Sequence, residues 1–242
     1  MLKIVWVDRF PVWSQFSGAI CPADGNAGTV TTDNNTTLPR REYWDGRYQT
    51  AGPSAVSWFQ ERPATSLELI AETGLERSAS VIDVGGGASR LVDSLLADGW
   101  SDVTVLDVSD VALAVSRERV GADRGAAWLE QDLLSWKPSR RYDLWHDRAV
   151  FHFLVEEHDR QLYRVLLNEA LAQGGAVIVG AFASDGPTRC SGLPVVRYDV
   201  AALVTALGAH FDLLATRREE HVTPAGDVQP FTWVVLRTAA GR

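Results

Sequence analysis

The chain has 242 residues, of which 46% are hydrophobic and 22% charged, with a formal net charge of −8. That length suits one large α/β domain with a full core and is short for two. No stretch approaches the roughly 20 apolar residues that cross a bilayer, and the acidic balance makes nucleic acid a poor partner.

The basic pairs Arg140-Arg141 and Arg217-Arg218 read as strand and loop ends rather than a binding groove. Cys21 and Cys190 lie far apart and show no metal-ligand spacing, so neither a structural metal nor a disulfide is expected. Lys3 is the one early cation, and no apolar run of signal-peptide length follows it. The expectation is a soluble, cytoplasmic protein without membrane or nucleic-acid partners, its oligomeric state undetermined.

Residues 22–37 are rich in Gly, Thr, Asn and Asp and carry neither a 2.0 nor a 3.6 period. Residues 1–40 are therefore expected to form a disordered N-terminal extension, with the folded domain at 41–242. Aromatic clusters follow at Glu42-Tyr43-Trp44 and Ser57-Trp58-Phe59, on either side of a Gly/Pro-containing turn. Ser66 precedes the helical pattern Leu67, Leu69, Ile70, and Gly74 is placed to end it.

From there strands and helices alternate. Residues 78–84 read as a buried strand, 89–98 as a helix with Leu91, Val92, Leu95 and Leu96 on one face, and 103–106 as a strand. A helix at 111–120, strands at 127–130 and 142–146, a helix at 160–171 and a strand at 176–179 continue the rhythm. A helix near 200–207 then precedes strands at 211–217 and 231–236, with no helix between them. The alternation predicts a doubly wound, mostly parallel sheet, and the last pair a hairpin closing its edge.

The informative stretch is Val81-Ile82-Asp83-Val84-Gly85-Gly86-Gly87-Ala88-Ser89. A strand ends, glycines allow a tight turn, and a helix begins, which is where open α/β sheets bind ligands. Arg90 occupies the third glycine position of a dinucleotide fingerprint. An ordinary tight βα loop would also use such glycines. Asp83 is costly to bury without a partner and is placed to accept from an ammonium. Asp107 ends the next strand, where a carboxylate can hold both ribose hydroxyls; it could also cap the following helix, although Ser109 and Asp110 suit that role better. Asp132, in Gln131-Asp132-Leu133, ends the third strand and can accept from an adenine amino group.

This set resembles the class I S-adenosylmethionine (SAM)-dependent methyltransferases from about Tyr43 to the C-terminus. The resemblance implies a Rossmann-like seven-stranded, mostly parallel sheet with helices on both faces and a C-terminal antiparallel β-hairpin. It implies SAM as cofactor, held by Asp83, Gly85, Gly86 and Gly87 at the methionine end, by Asp107 and Val108 at the ribose, and by Asp132 and Leu133 at adenine. Ser89 stands where many members have a further glycine.

The stretch Tyr142-Asp143-Leu144-Trp145-His146-Asp147-Arg148-Ala149-Val150 is similar to thiopurine methyltransferases and to several protein-lysine methyltransferases. Both carry an Asp-Arg or Asp-Lys pair facing SAM and acceptor, so Asp147 and Arg148 are candidates for the active-site floor. Equally, Asp147 could cap a helix and pair with Arg148. His146 and His152 flank the same place and could take a proton. Trp58-Phe59 resembles an aromatic pair found before the first helix of lysine methyltransferases, and could equally be core.

Trp44, Trp58, Phe59, Arg197 and Tyr198 are the candidate acceptor contacts, and 189–194 a candidate cover over them. Methyl transfer mainly requires alignment of nucleophile and methyl group, so no triad is needed. The favoured acceptor is a small molecule bearing a thiol, amine, hydroxyl or carboxylate. The alternatives are a protein lysine, an NAD(P)-dependent oxidoreductase and a non-catalytic SAM-binding protein.

Overall fold

Strands that are apolar on both faces fold between two layers of helix, and the chain meets that requirement in its central sheet. The computed structural model describes residues 28–32, 36–121 and 125–238. In chain order come β1 (Thr29–Thr31), β2 (Thr37–Pro39), α1 (Arg40–Ala51), α2 (Ala64–Glu72), β3 (Ser80–Val84), α3 (Leu91–Ala97) and β4 (Asp102–Asp107). Next are α4 (Asp110–Val120), β5 (Ala126–Glu130), β6 (Tyr142–Arg148), α5 (Glu157–Ala170) and β7 (Leu171–Phe182). The chain ends through β8 (Arg189–Cys190), β9 (Leu193–Pro194), α6 (Val200–Leu207), β10 (Phe211–Val222) and β11 (Val228–Thr238).

The main sheet has seven strands in the order β10-β11-β7-β6-β3-β4-β5. Pairings from β7 through β5 are parallel, whereas β11 runs antiparallel to both β7 and β10. The expected sheet with its terminal hairpin is thus present. Alternation of side chains divides each strand between two cores. Ile82, Val84, Trp145, Val177 and Val179 pack with Tyr163, Leu167 and Leu203 of α5 and α6. Val81, Val105, Leu144 and Ile178 pack with Leu69, Leu91, Leu95 and Leu113 of α2, α3 and α4.

The chain enters the sheet at β3, winds outward through β4 and β5, then returns to the other side of β3 as β6. The switch in winding direction therefore falls between β3 and β6, where a crevice opens beyond the strand ends.

Several boundaries differ from the sequence expectation. Within 1–40, residues 28–32 and 36–39 include the paired strands β1 and β2, with Thr29 opposite Pro39. Arg40 opens α1, and residues 1–27, Cys21 included, and 33–35 lie outside the described residues. Helix α1 was not anticipated, nor was the β8–β9 hairpin. Ser66 lies inside α2, which starts after Pro63 without a side-chain cap. Gly174 and Gly175 sit within β7 rather than before it. Strand β6 extends to Arg148, which makes Asp147 and Arg148 strand residues pointing to opposite faces.

The consequence for Asp147 is structural. Its carboxylate is fully buried and accepts from the backbone N–H groups of Val150 and Phe151 and from the Tyr163 hydroxyl at 2.8 Å. These bonds hold the 3-10 turn Phe151–Phe153 and a left-handed Ala149 at φ 70°. The same Tyr163 hydroxyl accepts from Trp145 Nε1 at 2.8 Å. Replacing Tyr163 with Phe strands Trp145 Nε1 and removes one donor from Asp147, and is expected to cost about 1–3 kcal/mol. Urea denaturation measures the loss, and an unchanged midpoint would contradict this role.

Candidate functional site

Asp83 and His146 are register partners across the β3–β6 switch, and they face the same side of the sheet. Asp83 Oδ1 lies 2.7 Å from His146 Nδ1, and His146 Nε2 lies 3.0 Å from Ser66 Oγ. This chain ties β3, β6 and α2 together. It leaves Asp83 Oδ2 buried and, among the described residues, without a hydrogen-bond partner. The oxygen lies against Gly86, beside a cavity of about 40 Å³ that Gly85, Tyr48, Trp58 and Arg148 also line.

The glycine turn is as compact as the sequence implied. Gly87 adopts φ +41°, and a Cβ there would lie 2.8 Å from Asp107 Oδ2 and 3.0 Å from the Tyr48 hydroxyl. Close approach to the β4 carboxylate is possible only without a side chain. Asp107 is buried, and its Oδ1 accepts from the Ser109 N–H at 2.8 Å. Burial pushes its pKa up to about 7, with the nearby Asp83 and Asp45 carboxylates adding to the rise and backbone N–H donors opposing it. The helix cap falls instead to Ser109, whose Oγ accepts from the Ala112 N–H.

Asp132 ends the β5 loop as expected and accepts from the Leu134 N–H at 3.0 Å. It also pairs with Arg40 of α1 at 3.1 Å. Arg41 pairs with Glu130 and donates to the Val108 carbonyl, and Asp45 accepts from Ser109 Oγ at 2.6 Å. Helix α1 thus lies across the ends of β4 and β5. Leu133 is buried in the core.

On the other side of the cavity, Arg148 donates from Nη1 to the Trp58 carbonyl at 2.8 Å and stacks over Phe231 at 5.0 Å. Trp58 in turn donates to the Tyr48 hydroxyl at 3.2 Å and meets Trp44 edge-on. Trp44, Trp58 and Phe59 are therefore gathered in the roof or against it. The pairing of Asp147 with Arg148 that the sequence left open is not formed, because the two side chains project from opposite faces. Arg197 is exposed and bonds the Gly186 carbonyl, and Tyr198 packs on Phe151 in the core. Neither lines the cavity.

His152 is fully buried among Phe153, Phe182 and Phe231. Burial and the Arg148 charge hold its pKa down to about 3, so it stays neutral at physiological pH. The hairpin β8–β9, with Ser191 and Gly192 at its tip, packs on α1 through the Tyr43 hydroxyl and the Ser191 carbonyl. Sequence reasoning passed over Tyr48 and Arg40. A signal for the first was present, since Trp44 and Tyr48 are four residues apart on one helical face.

Comparison with known proteins agrees with this geometry. Residues 81–175 match the family model of a methyltransferase domain. EEF1A lysine methyltransferase 2 of Mus musculus is 30% identical over 110 residues, 41% of this chain and 45% of the relative. The trans-aconitate 2-methyltransferase of Mycobacterium tuberculosis is 33% identical over 127 residues, 52% of this chain and 44% of the relative. The chain thus spans about half the length of the curated relatives it matches. A SAM-dependent methyltransferase from Anabaena variabilis superposes with a TM-score of 0.66 at 16% identity, covering 88% of this chain and 98% of the other. Residues 81–175 thus resemble a methyltransferase domain, and the fold is the one seen in solved SAM-dependent methyltransferases. Among the described residues no group of side chains could hold a metal ion, and no helix is long and apolar enough to cross a membrane.

The raised Asp107 pKa sets a sign for stability. A carboxyl held above its ordinary range favours the folded state at low pH, and that contribution is lost as pH rises through about 7. Asp107→Asn removes the penalty of ionising a buried carboxyl. Its melting temperature is expected to vary less than that of the wild type between pH 5 and 8, and to exceed it at pH 8. Parallel melting curves across that range would refute the assignment.

Proposed function

We propose that the chain is a SAM-dependent methyltransferase acting on a small-molecule acceptor. The observation that carries the cofactor assignment is the orphaned Oδ2 of Asp83, a buried anionic acceptor at the β3–β6 switch. It fits the ammonium of a methionine moiety. Gly85, Gly86 and Gly87 fit close passage of the same ligand. Asp107 fits the ribose hydroxyls, which would stabilise its ionised form, with Val108 beside it. Asp132 and Leu133 fit the adenine end, where the amino group would share or replace the Arg40 contact.

Bound SAM supplies an electrophilic methyl group on a sulfonium that is already a good leaving group. The residues of this chain then have to orient the acceptor, exclude water and leave its nucleophilic atom exposed to that methyl. The roof of Tyr48, Trp58 and Phe59 serves the exclusion of water. Asp147 acts through the turn that it holds. The cavity of about 40 Å³ is below the ~300–1,000 Å³ of ordinary ligand sites, so cofactor binding is expected to widen it.

A small acceptor is preferred to a protein lysine because the roof closes over the cavity, as suits a molecule engulfed whole. The lysine methyltransferase among the relatives keeps that second reading as the competitor to test.

Isothermal titration with SAM, S-adenosylhomocysteine and NAD is the direct test. The first two should bind at micromolar affinity and NAD should not; binding of NAD alone would overturn the proposal. Methyl transfer from labelled SAM should then follow small-molecule rather than protein fractions. Binding without transfer to either would mark a non-catalytic SAM-binding protein.

Gly87→Ala places a Cβ in the turn at a positive φ, and should weaken S-adenosylhomocysteine by about tenfold or more. Unchanged affinity in the folded variant would exclude the glycine turn from the site.

A further inference from the structure

We propose that the acceptor carries a carboxylate-like anionic group and that Arg148 anchors it, an inference that rests on the methyltransferase reading above. The guanidinium has five N–H donors and cannot shed its proton in a protein. Only Nη1 is satisfied, by the Trp58 carbonyl at 2.8 Å. Nε and Nη2 are sealed from solvent and have no acceptor among the described residues. A buried charge left in that condition is costly, and a ligand of opposite sign would offset the cost.

The two free nitrogens matter as a pair. Nε and Nη2 form the side-on edge of the guanidinium, whose parallel N–H bonds match the two oxygens of one carboxylate. Arg148 Cζ lies over the Phe231 ring, 5.0 Å from its centroid, a contact that takes up neither of those N–H donors. Arg148 also lines the same cavity as Asp83 and Gly85, which puts the anchor beside the proposed methionine end of the cofactor.

Neighbouring anions are committed elsewhere. Glu219 Oε1 accepts from Gln60 at 2.7 Å, and its Oε2 accepts from Trp233 Nε1 at 2.8 Å. Asp83 Oδ1 is held by His146, and Asp147 faces Tyr163 on the far side of the sheet. The Cys190 thiol, which also feels Arg148, is pushed up to about 11 by burial and is neutral at physiological pH.

A further donor lies against the same ring. His152 Nδ1 accepts from the Phe182 N–H at 3.4 Å, which leaves the proton on Nε2, buried without an acceptor among the described residues and stacked against Phe231. Beside Arg148 and His152 a ligand meets unpaired donors, while the Asp83 Oδ2 acceptor of the same cavity is assigned to the ammonium of the cofactor. The arrangement therefore selects an acid.

The test uses the intact chain saturated with S-adenosylhomocysteine and a set of carboxylic acids, each matched with its primary amide, followed by ligand-observed NMR. Acids should bind about tenfold or more tightly than their amides, as expected for loss of a charge-assisted pair. Arg148→Met should abolish the preference in a variant that S-adenosylhomocysteine still saturates, which separates loss of the anchor from loss of the cofactor site. Arg148→Lys keeps the charge but not the fork and should retain a reduced preference. It carries the test if the Met variant does not fold.

Equal binding of acids and amides, or an acid preference that survives Arg148→Met, would overturn the proposal and leave the methyltransferase reading standing. Failure of the wild type to bind S-adenosylhomocysteine would instead overturn that reading.

Discussion

The buried Asp83–His146 contact is the constraint around which the site is arranged. A carboxylate at the end of a central parallel strand cannot stay there unsupported. Its support comes from across the winding switch, through an imidazole that reaches on to Ser66. One oxygen is consumed in joining β3, β6 and α2. The other faces the glycine turn, so the same interaction that closes the core also leaves an acceptor at the place where ligands approach such sheets. Fold and site share one side chain.

Strand alternation explains why two adjacent charged residues divide their labour. Asp147 turns inward to Tyr163 and to the backbone beyond β6, and there it shapes the turn that carries Phe151–Phe153. Arg148 turns the other way, toward Asp83 and the aromatic roof. Had β6 ended at His146, as its hydrophobic pattern suggested, neither direction would have been fixed. Two more residues of pairing with Val179 and Gly180 settle both.

Much of the central architecture was legible because buried parallel strands announce themselves. Val81-Ile82-Asp83-Val84 and Ala176-Val177-Ile178-Val179 are apolar runs flanked by glycines, and the acids that close β3, β4 and β5 break an otherwise hydrophobic pattern. The less legible parts owe their form to tertiary contacts. Helix α1 is strongly polar, with Gly46 in its middle, and is held by Arg40, Arg41 and Asp45 reaching to distant strand ends. The β8–β9 hairpin has two residues per strand, too few for any period. Arg197 and Tyr198 looked like acceptor contacts because they follow a loop beyond β7; the chain's path carries them past the cavity instead. The isolation of Arg148 was invisible in sequence, since it depends on Glu219, 71 positions away, being occupied by Gln60 and Trp233.

Helix α1 touches both ends of the crevice at once. Arg40 and Arg41 reach the acids of the β5 edge, while Tyr43, on the same turn, holds the carbonyl of Ser191 at the tip of the β8–β9 hairpin. These contacts all come from the first turn of one 12-residue helix. A displacement that breaks the Arg40 and Arg41 pairs would therefore also strain the Tyr43 contact to the hairpin. The β5 edge and the β8–β9 hairpin are mechanically coupled through one turn of helix.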